Sequence, residues 1–344
     1  MGTRFLLRNA MQASSKLPFI AILLFAAALA PSVQAEPVLL NVSYDVTREL
    51  FKDINPAFAA EWKRTTGETV TIKQSHGGSS SQARAVAEGL EATVVTMNQS
   101  NDIDLLVQRG LVAKDWPTRF PDHAAPFYST MVFVTRKGNP KGIHRWEDLA
   151  KPGVQIVIPN PKTSGNGRYS YLAAWGAAIK HGAGEAGARS LVAQLFKNVP
   201  VLDAGGRAAT TTFAQRQIGD VLVTFENEAL LARQEFGDKF EIVYPDVSIL
   251  AESPVAVVDR VAQQRGVQKE AAAYLQFLYS DAGQDIAARH YFRPRNEAVL
   301  KKYGASFHAV TLFTVDEVFG GWGKAQHTHF DDGGEFDRIY AQRN

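Results

Sequence analysis

Residues Gln155–Lys180 read QIVIPNPKTSGNGRYSYLAAWGAAIK, and this stretch holds the pattern on which the fold depends. The apolar run Gln155–Pro159 is typical of a buried strand, and Tyr169–Lys180 has the length and composition of a helix. Between them lies the polar, glycine-containing loop Asn160–Arg168 (NPKTSGNGR). A strand, a polar turn and a helix in this order are the repeating unit of an α/β fold with a mainly parallel sheet.

The same unit recurs along the chain. Small, polar or Gly-rich turns between a predicted strand and a predicted helix are Ser43-Tyr44-Asp45, Gly77-Gly78-Ser79, Thr163-Ser164-Gly165-Asn166 and Ala204-Gly205-Gly206. The helices that follow them are predicted to begin near Val46, Gln82, Tyr169 and Thr211. Because the carboxyl ends of parallel strands share one edge of a sheet, we expect the turns of one lobe to face one crevice.

These turns have the chemistry of an anion site. The first N–H groups of a helix have no partner inside it and carry the positive end of its dipole, so no charged side chain is needed. Each turn alone has a second reading, in which its Ser or Asp caps its own helix. None matches the GxxxxGK[ST] phosphate loop, since Gly77–Gln82 lacks the lysine, and none supplies the full GxGxxG fingerprint. Four such turns together favour an oxyanion site.

Length and β runs predict two lobes. A chain of 344 residues exceeds the size at which one hydrophobic core keeps growing. The runs Ser129–Arg136 and Pro254–Val258 match in character and are expected to lie side by side where the chain passes between lobes. We therefore predict a discontinuous first lobe of residues 36–128 and 257–344, and a second lobe of residues 129–256.

The charge distribution argues against a nucleic-acid or anionic-membrane binder. The chain has 37 Lys and Arg against 35 Asp and Glu, a formal charge of +2. Arg4, Arg8 and Lys16 lie within residues 1–35, which contain no acidic residue, so the remainder carries −1. Displacing counterions from phosphates needs a concentrated basic face, which this balance does not favour.

Residues 1–35 have the features of an export signal. Leu17–Ala30 (LPFIAILLFAAALA) is an apolar run of 14 residues behind three cations, and small side chains follow at Val33 and Ala35. The run is too short to cross a bilayer, although a retained anchor is the alternative. We predict a signal peptide cleaved near Ala35 and a periplasmic protein. The chain has no cysteine, which excludes disulfides and thiolate metal ligands, and we predict no cofactor and no metal.

Five motifs carry a resemblance to a known family. They are SYDVTREL (Ser43–Leu50), QSHGGSS (Gln74–Ser80), FYSTMVFVTRKGNP (Phe127–Pro140), NPKTSGNGR (Asn160–Arg168) and FGGWGKAQ (Phe319–Gln326). Together they resemble the periplasmic sulfate/thiosulfate-binding proteins of ABC importers, over essentially the whole chain after residue 35. The resemblance implies a two-lobed, type II periplasmic binding protein fold with the ligand cleft between lobes. It also implies a non-catalytic monomer that delivers sulfate or thiosulfate to membrane permease subunits and does not bind nucleic acid.

The resemblance also implies which groups bind the anion. The donors would be backbone N–H groups at Asp45, Ser79, Ser164, Gly165, Asn166 and Gly206, together with the Ser164 hydroxyl. A set made only of donors suits sulfate, which is fully ionised at neutral pH, whereas phosphate retains a proton and would need an acceptor.

Two positions depart from the sulfate-specific pattern of the family. Asn166 stands where sulfate binders usually have glycine, and Phe225 stands where they have a tryptophan whose indole N–H donates to the anion. Our hypothesis is that the chain resembles the thiosulfate-accepting branch, because an apolar ring beside a terminal sulfur loses little. The stretch Val94–Gln99 (VVTMNQ) supports the same branch.

Other functions stay open at this stage. An exported hydrolase of sulfate or phosphate esters is one alternative, with Ser75 and His76 as a nucleophile and base, but no GxSxG elbow is present. A binding protein for phosphate or molybdate is another, with Asp45 as an acceptor for a protonated anion. Arg168 and Arg207 follow two of the turns and are either electrostatic support for a dianion or surface residues paired with acids.

A metal site is the remaining alternative. His327, His329, Asp331 and Asp332 are ligand-type residues close together, but no HExxH pattern accompanies them.

Overall fold

The computed structural model describes residues 36–342, and the elements below lie in one compact unit from Pro37 onward. The predicted signal peptide, residues 1–35, lies outside the described residues. The strands are β1 (Val38–Tyr44), β2 (Thr71–Gly77), β3 (Val94–Thr96), β4 (Phe127–Ser129), β5 (Met131–Arg136), β6 (Ile156–Pro159), β7 (Leu202–Asp203), β8 (Val221–Phe225), β9 (Phe240–Val243), β10 (Val247–Ile249), β11 (Ala251–Glu252), β12 (Val255–Val257), β13 (Arg293–Pro294) and β14 (Thr311–Phe313). The helices are α1 (Arg48–Thr66), α2 (Ser79–Ala87), α3 (Ser100–Gln108), α4 (Pro121–Ala124), α5 (Gly165–Lys180), α6 (Gly184–Lys197), α7 (Gly206–Ala214), α8 (Glu226–Phe236), α9 (Asp259–Arg265), α10 (Gln268–Phe277), α11 (Asp281–Arg289), α12 (Glu297–Lys302), α13 (Val315–Phe319), α14 (Trp322–Ala325) and α15 (Glu335–Ala341).

The first sheet has the strand order β12-β3-β1-β2, with β1 parallel to β2 and β3. Helix α1 covers it because Leu50, Ile54 and Phe58 recur at helical spacing and are all buried. The helix ends at Gly67, whose φ of 79° is the left-handed conformation that glycine adopts without a steric penalty.

The second sheet has the order β7-β6-β8-β5-β9, in which β6 runs parallel to β7 and β8 while β5 is antiparallel to its neighbours. Helix α5 packs between this sheet, α6 and β10, and it is buried on nearly every side. This burial explains the small residues of the AAWGAA segment in the helix. At Gly176 a Cβ atom would lie 2.2 Å from the Phe313 ring, so the close approach of β14 requires glycine there.

Two extended segments, Phe127–Met131 and Val247–Val257, connect the two larger sheets. The strands in these segments pair differently from the prediction. The run Pro254–Val258 was expected beside Ser129–Arg136, but its strand β12 pairs with β3 in the first sheet. The segment just before it, β11, pairs with β4 at Tyr128 and Ser129, whereas Met131–Arg136 lies between β8 and β9. Side chains join the two connections, because Thr130 Oγ1 donates to Ile249 O at 2.9 Å and Ser248 Oγ donates to Met131 O at 2.9 Å.

The C-terminal segment also differs from the prediction, which assigned all of 257–344 to the first lobe. Helices α9 to α12 do pack near the first sheet and the strands β4 and β13. The later part does not, since β14 pairs in parallel with β10 and α15 packs on α6. Ion pairs Lys180–Glu317 and Arg189–Glu335 hold this part to α5 and α6. Apolar side chains such as Phe330 and Phe336 fill the space around Tyr171, a long-range packing that local periodicity does not encode.

The predicted α/β class is confirmed, and the two larger sheets, of four and five strands, are consistent with two lobes. Within residues 36–342, no helix has the length and apolarity needed to cross a membrane.

Candidate functional site

The predicted turns come together in space, although they belong to different sheets. A Cβ atom on Gly78 would lie 2.6 Å from the carbonyl oxygen of Thr163 and 3.2 Å from that of Ala204. Three of the turns therefore meet at one point. The Ser81 hydroxyl also contacts Thr163 O, at 3.4 Å.

Asp45 brings the fourth turn to the same place. Its carboxylate Oδ2 accepts a hydrogen bond of 3.0 Å from the backbone N–H of Arg207, and a Cβ atom on Gly205 would lie 2.5 Å from that oxygen. The side chain therefore caps α7, a helix of the other sheet. Neither the acceptor role nor the local cap considered from the sequence anticipated this contact.

Three helices begin at the meeting point with their first N–H groups outside the helical ladder. The ladder starts with Gln82 N–H to Gly78 O in α2, Arg168 N–H to Ser164 O in α5, and Ala209 N–H to Gly205 O in α7. Helices α5 and α7 begin four and five residues before their predicted starts at Tyr169 and Thr211. The predicted donors Ser79, Gly165 and Gly206 are therefore the first residues of their helices.

Ser164 and Ser79 differ in which of their polar groups is already hydrogen-bonded within the protein. The backbone N–H of Ser164 donates to Asn160 O at 2.9 Å, which corrects the prediction that this N–H group would be open to the anion. Ser79 shows the opposite pattern, because its hydroxyl donates to Asp102 Oδ2 at 2.6 Å and accepts the N–H of Asn98 at 3.2 Å. Ser164 would thus contribute its hydroxyl, and Ser79 its backbone N–H.

Asn166 has a side chain committed to the second sheet. Its Nδ2 donates to Thr224 Oγ1 at 2.9 Å, and the same nitrogen would lie 2.8 Å from a Cβ atom on Gly206. The close approach gives a reason for glycine at position 206, and the hydrogen bond ties the start of α5 to β8.

Buried charges surround the turns. Burial raises the pKa of the Asp45 carboxyl in spite of the Arg207 N–H. Burial likewise raises the pKa of Glu228 to about 7, although Arg207 Nε lies 3.4 Å from Glu228 Oε1. Arg168, which is 5% exposed, has its pKa lowered by burial and places Nη1 4.0 Å from Asp102 Oδ1. Both arginines are thus paired with acids and also lie beside the turns.

Phe225 is buried, and its ring packs edge-on against two tyrosines. The ring centroids are 6.4 Å from that of Tyr44 and 5.6 Å from that of Tyr169. Phe225 ends β8 directly after Thr224, the acceptor of the Asn166 amide.

The residues of the hydrolase and metal alternatives are engaged elsewhere. His76 Nδ1 lies 2.8 Å from Oγ of Ser43, which is fully buried, and burial lowers the pKa of His76 to about 4. His329 is buried with Nδ1 3.0 Å from the Tyr171 hydroxyl, whereas His327 is exposed beside Asp331. Within residues 36–342, no group of three or more His, Cys, Asp or Glu side chains is arranged to hold a metal ion.

The sequence analysis missed a fifth turn of the same kind. Strand β3 is followed by the polar stretch Met97–Ser100 and then by α3, which is again a strand, a polar turn and a helix. This turn supplies Asn98, whose side chain meets Gly165, and α3 supplies Asp102. The order of strand, polar stretch and helix is visible in the sequence here as well. The stretch contains no glycine, however, whereas three of the four other turns do.

Comparisons with known proteins place the chain among bacterial solute-binding proteins. A family model for bacterial extracellular solute-binding proteins matches residues 39–293. The chain is 58% identical over 316 residues to a thiosulfate-binding protein of Pseudomonas aeruginosa, covering 91% of this chain and 95% of that one. It is 55% identical over 313 residues to a sulfate-binding protein of Escherichia coli, covering 90% and 95%. A solved sulfate-binding protein of Mycobacterium tuberculosis matches with a TM-score of 0.78 and 33% identity, covering 86% of this chain and all of that one.

The fold is that of periplasmic binding proteins. A periplasmic thiamin binding protein shares the fold alone, at 17% identity and a TM-score of 0.64 over 89% of this chain and 96% of that one. The chain belongs to the bacterial extracellular solute-binding protein family. It is accordingly a binding protein and not an enzyme.

Proposed function

We propose that the protein is the periplasmic binding component of an ABC importer, and that it binds sulfate or thiosulfate and delivers the anion to the permease. The observation that carries the proposal is the meeting of four helix-opening turns from two sheets around Gly78, Thr163 and Ala204. The relatives named above, a thiosulfate-binding and a sulfate-binding protein, support the same ligand class.

The donors in this proposal are backbone N–H groups of Asp45, Ser79, Gly165, Asn166 and Gly206, with the Ser164 hydroxyl. A hydrogen bond to a charged group contributes about 1.5 to 3 kcal/mol, so six contribute roughly 9 to 18 kcal/mol before costs. Association and ordering cost about 4 to 15 kcal/mol. A micromolar or tighter dissociation constant, equivalent to about −8 kcal/mol, is therefore attainable.

The proposed export and lobe arrangement follow from the same family membership. Residues 1–35 would be removed near Ala35, leaving a monomeric periplasmic protein. With the C-terminal contacts included, we place the first lobe at residues 37–129 and 251–302 and the second at 131–249 and 311–341. The two cross-linked connections at Thr130 and Ser248 would then form the hinge about which the lobes close.

Calorimetry of the ligand-stripped chain 36–344 tests this function. Sulfate or thiosulfate should bind one-to-one with micromolar or tighter affinity, with phosphate and molybdate as comparison anions. Sulfate itself does not titrate from pH 5 to 8, so any change of its affinity in this range should follow the titration of Glu228 and disappear in Glu228→Gln. Failure of the ligand-stripped chain to bind either sulfate or thiosulfate would contradict the proposal.

Phe225 addresses the choice between the two anions. Substituting Phe225→Trp adds an indole N–H donor, which should favour sulfate because a terminal sulfur is a poorer acceptor than oxygen. The ratio of sulfate to thiosulfate affinity, measured for both proteins, should rise in the variant. An unchanged ratio contradicts the assignment of Phe225 to specificity.

A further inference from the structure

The side chain of Asn98 reaches from one set of turns to the other. Its backbone N–H is fixed on the first sheet's side, donating to Ser79 Oγ at 3.2 Å. Its amide meets Gly165, the first residue of α5, so closely that a Cβ atom there would lie 1.8 Å from Asn98 Oδ1 and 2.7 Å from Nδ2. The amide therefore lies at the positive end of a helix, beside the proposed ligand position.

This amide is buried without a partner for its oxygen. Asn98 is 3% exposed, and Oδ1 is among the buried atoms of residues 36–342 that have no hydrogen-bond partner. The polar groups around it are engaged with one another, since Ser79 Oγ and Gln99 Nε2 both donate to Asp102 Oδ2, at 2.6 and 2.8 Å. An unpaired buried amide costs free energy unless a partner arrives.

We propose that Asn98 is a ligand-contacting residue that donates its side-chain Nδ2–H to the bound oxyanion. The inference rests on the proposed function and adds a side-chain donor to a set otherwise made of backbone N–H groups and one hydroxyl. Rotation about the terminal amide torsion exchanges oxygen and nitrogen, so the amide can turn its NH2 group toward the anion. Gly165 leaves the space in which this side chain lies.

The proposal has a consequence for the two anions. Sulfate and thiosulfate both present oxygens, so removing the amide should weaken both. Because a hydrogen bond to a charged group is stronger than a neutral one, Asn98→Ala should lower affinity roughly ten- to hundred-fold. Asn98→Asp keeps the shape but turns a like charge toward the dianion, so it should lower affinity further.

Calorimetry with sulfate and with thiosulfate tests this on the ligand-stripped chain 36–344, and thermal unfolding of the ligand-free variants checks their folding. Gln108→Ala and Gln108→Glu are the matched controls, because exposed Gln108 ends α3 and receives the same chemical changes away from the turns. The controls should bind as the wild type does. The ligand-free Asn98→Ala variant should unfold at the wild-type temperature or above, because it removes an unpaired polar group.

The possible results distinguish failure of the proposed function from failure of the Asn98 contact. If the wild type binds neither anion, the proposed function fails and the inference falls with it. If the wild type binds and Asn98→Ala stays within two-fold for both anions, the function stands and the Asn98 contact is overturned. An Asn98→Asp variant that binds as tightly as the wild type overturns the contact as well, even where the Ala variant folds poorly.

Discussion

At the residue scale, Gly165 is a position where one added methyl group should affect both stability and anion binding. A methyl group there would overlap the Asn98 amide, so Gly165→Ala forces the side chain or the start of α5 to move. Overpacking of this kind costs about 1 to 3 kcal/mol. We expect lower stability in urea unfolding and weaker anion binding.

Two further variants sharpen this prediction. Gly323→Ala is the control, because nothing lies within 4 Å of its added Cβ and alanine favours its helix. Adding Asn98→Ala to Gly165→Ala should recover most of the lost stability, since it removes the overlapping group. Additive losses in the double variant would contradict the steric explanation.

His329 should make stability depend on pH. Burial lowers its pKa from 6.5 to about 4, so the unfolded chain takes up a proton below pH 6.5 while the folded protein does not. Stability is therefore lost as the pH falls from about 6.5 toward 4, by about 2 kcal/mol at pH 5. Urea unfolding at pH 7 and pH 5 should show a loss that is smaller in His329→Phe than in the wild type by about this amount, because His76 and Glu228 contribute equally to both proteins.

His181 provides a control of opposite sign. Its hydrogen bonds to Glu147 and Asp246 raise its pKa, so its contribution is present at low pH and lost as the pH rises through the folded pKa. Removing it with His181→Gln should therefore destabilise more at pH 5 than at pH 7. The same pH trend in both histidine variants would argue against these assignments.

At the scale of elements, the strands and most helices were predictable because their periodicity is local. The helix starts were not, since Gly165, Asn166 and Gly206 are poor helix formers and only the packing of the turns makes them helical. The site was predictable as a set of turns, whereas the capping of α7 by Asp45 joins positions more than 160 residues apart and leaves no local pattern.

Lys162 connects the loop Asn160–Arg168, which leads into α5, to the C-terminal segment. Its Nζ donates to the carbonyls of Phe330 and Asp331 at 2.9 and 3.2 Å, and to Asp337 Oδ2 at 2.9 Å. Lys162→Met leaves these acceptors without the cation and should lower the free energy of unfolding by about 1 to 3 kcal/mol.

The control for this prediction is Lys301→Met, at an exposed lysine on α12. It should change stability by no more than about 0.5 kcal/mol. Urea unfolding of both variants at pH 7 makes the comparison. Equal effects would mean that Lys162 does not act through its acceptors.

At the scale of the whole molecule, the number of lobes followed from length, but the path of the chain between them did not. Every buried strand has a similar apolar, β-branched composition. The sequence therefore cannot show whether β11 or β12 pairs with β4. The return of β14 to β10 is likewise set by packing around α5.

Closure should be measurable as compaction. In the proposed lobe arrangement, contacts such as Asn101 Nδ2 to Gln326 Oε1 and Arg168 to Asp102 join the two lobes. A compact chain of this length has a radius of gyration of about 19 Å. Small-angle scattering should give a value near this with saturating sulfate or thiosulfate and a larger one without ligand. A radius that does not change with ligand would contradict closure by hinge motion.

The pairing of β14 with β10 has a consequence for how the protein comes into being. The second sheet's interior around α5 stays incomplete until Thr311–Phe313 arrives, long after the residues it packs against have been synthesised. Non-local contacts of this kind slow folding. A nascent chain therefore cannot complete the packing around α5 until nearly all of it has been synthesised. This delay suits a polypeptide that crosses a membrane in an unfolded state.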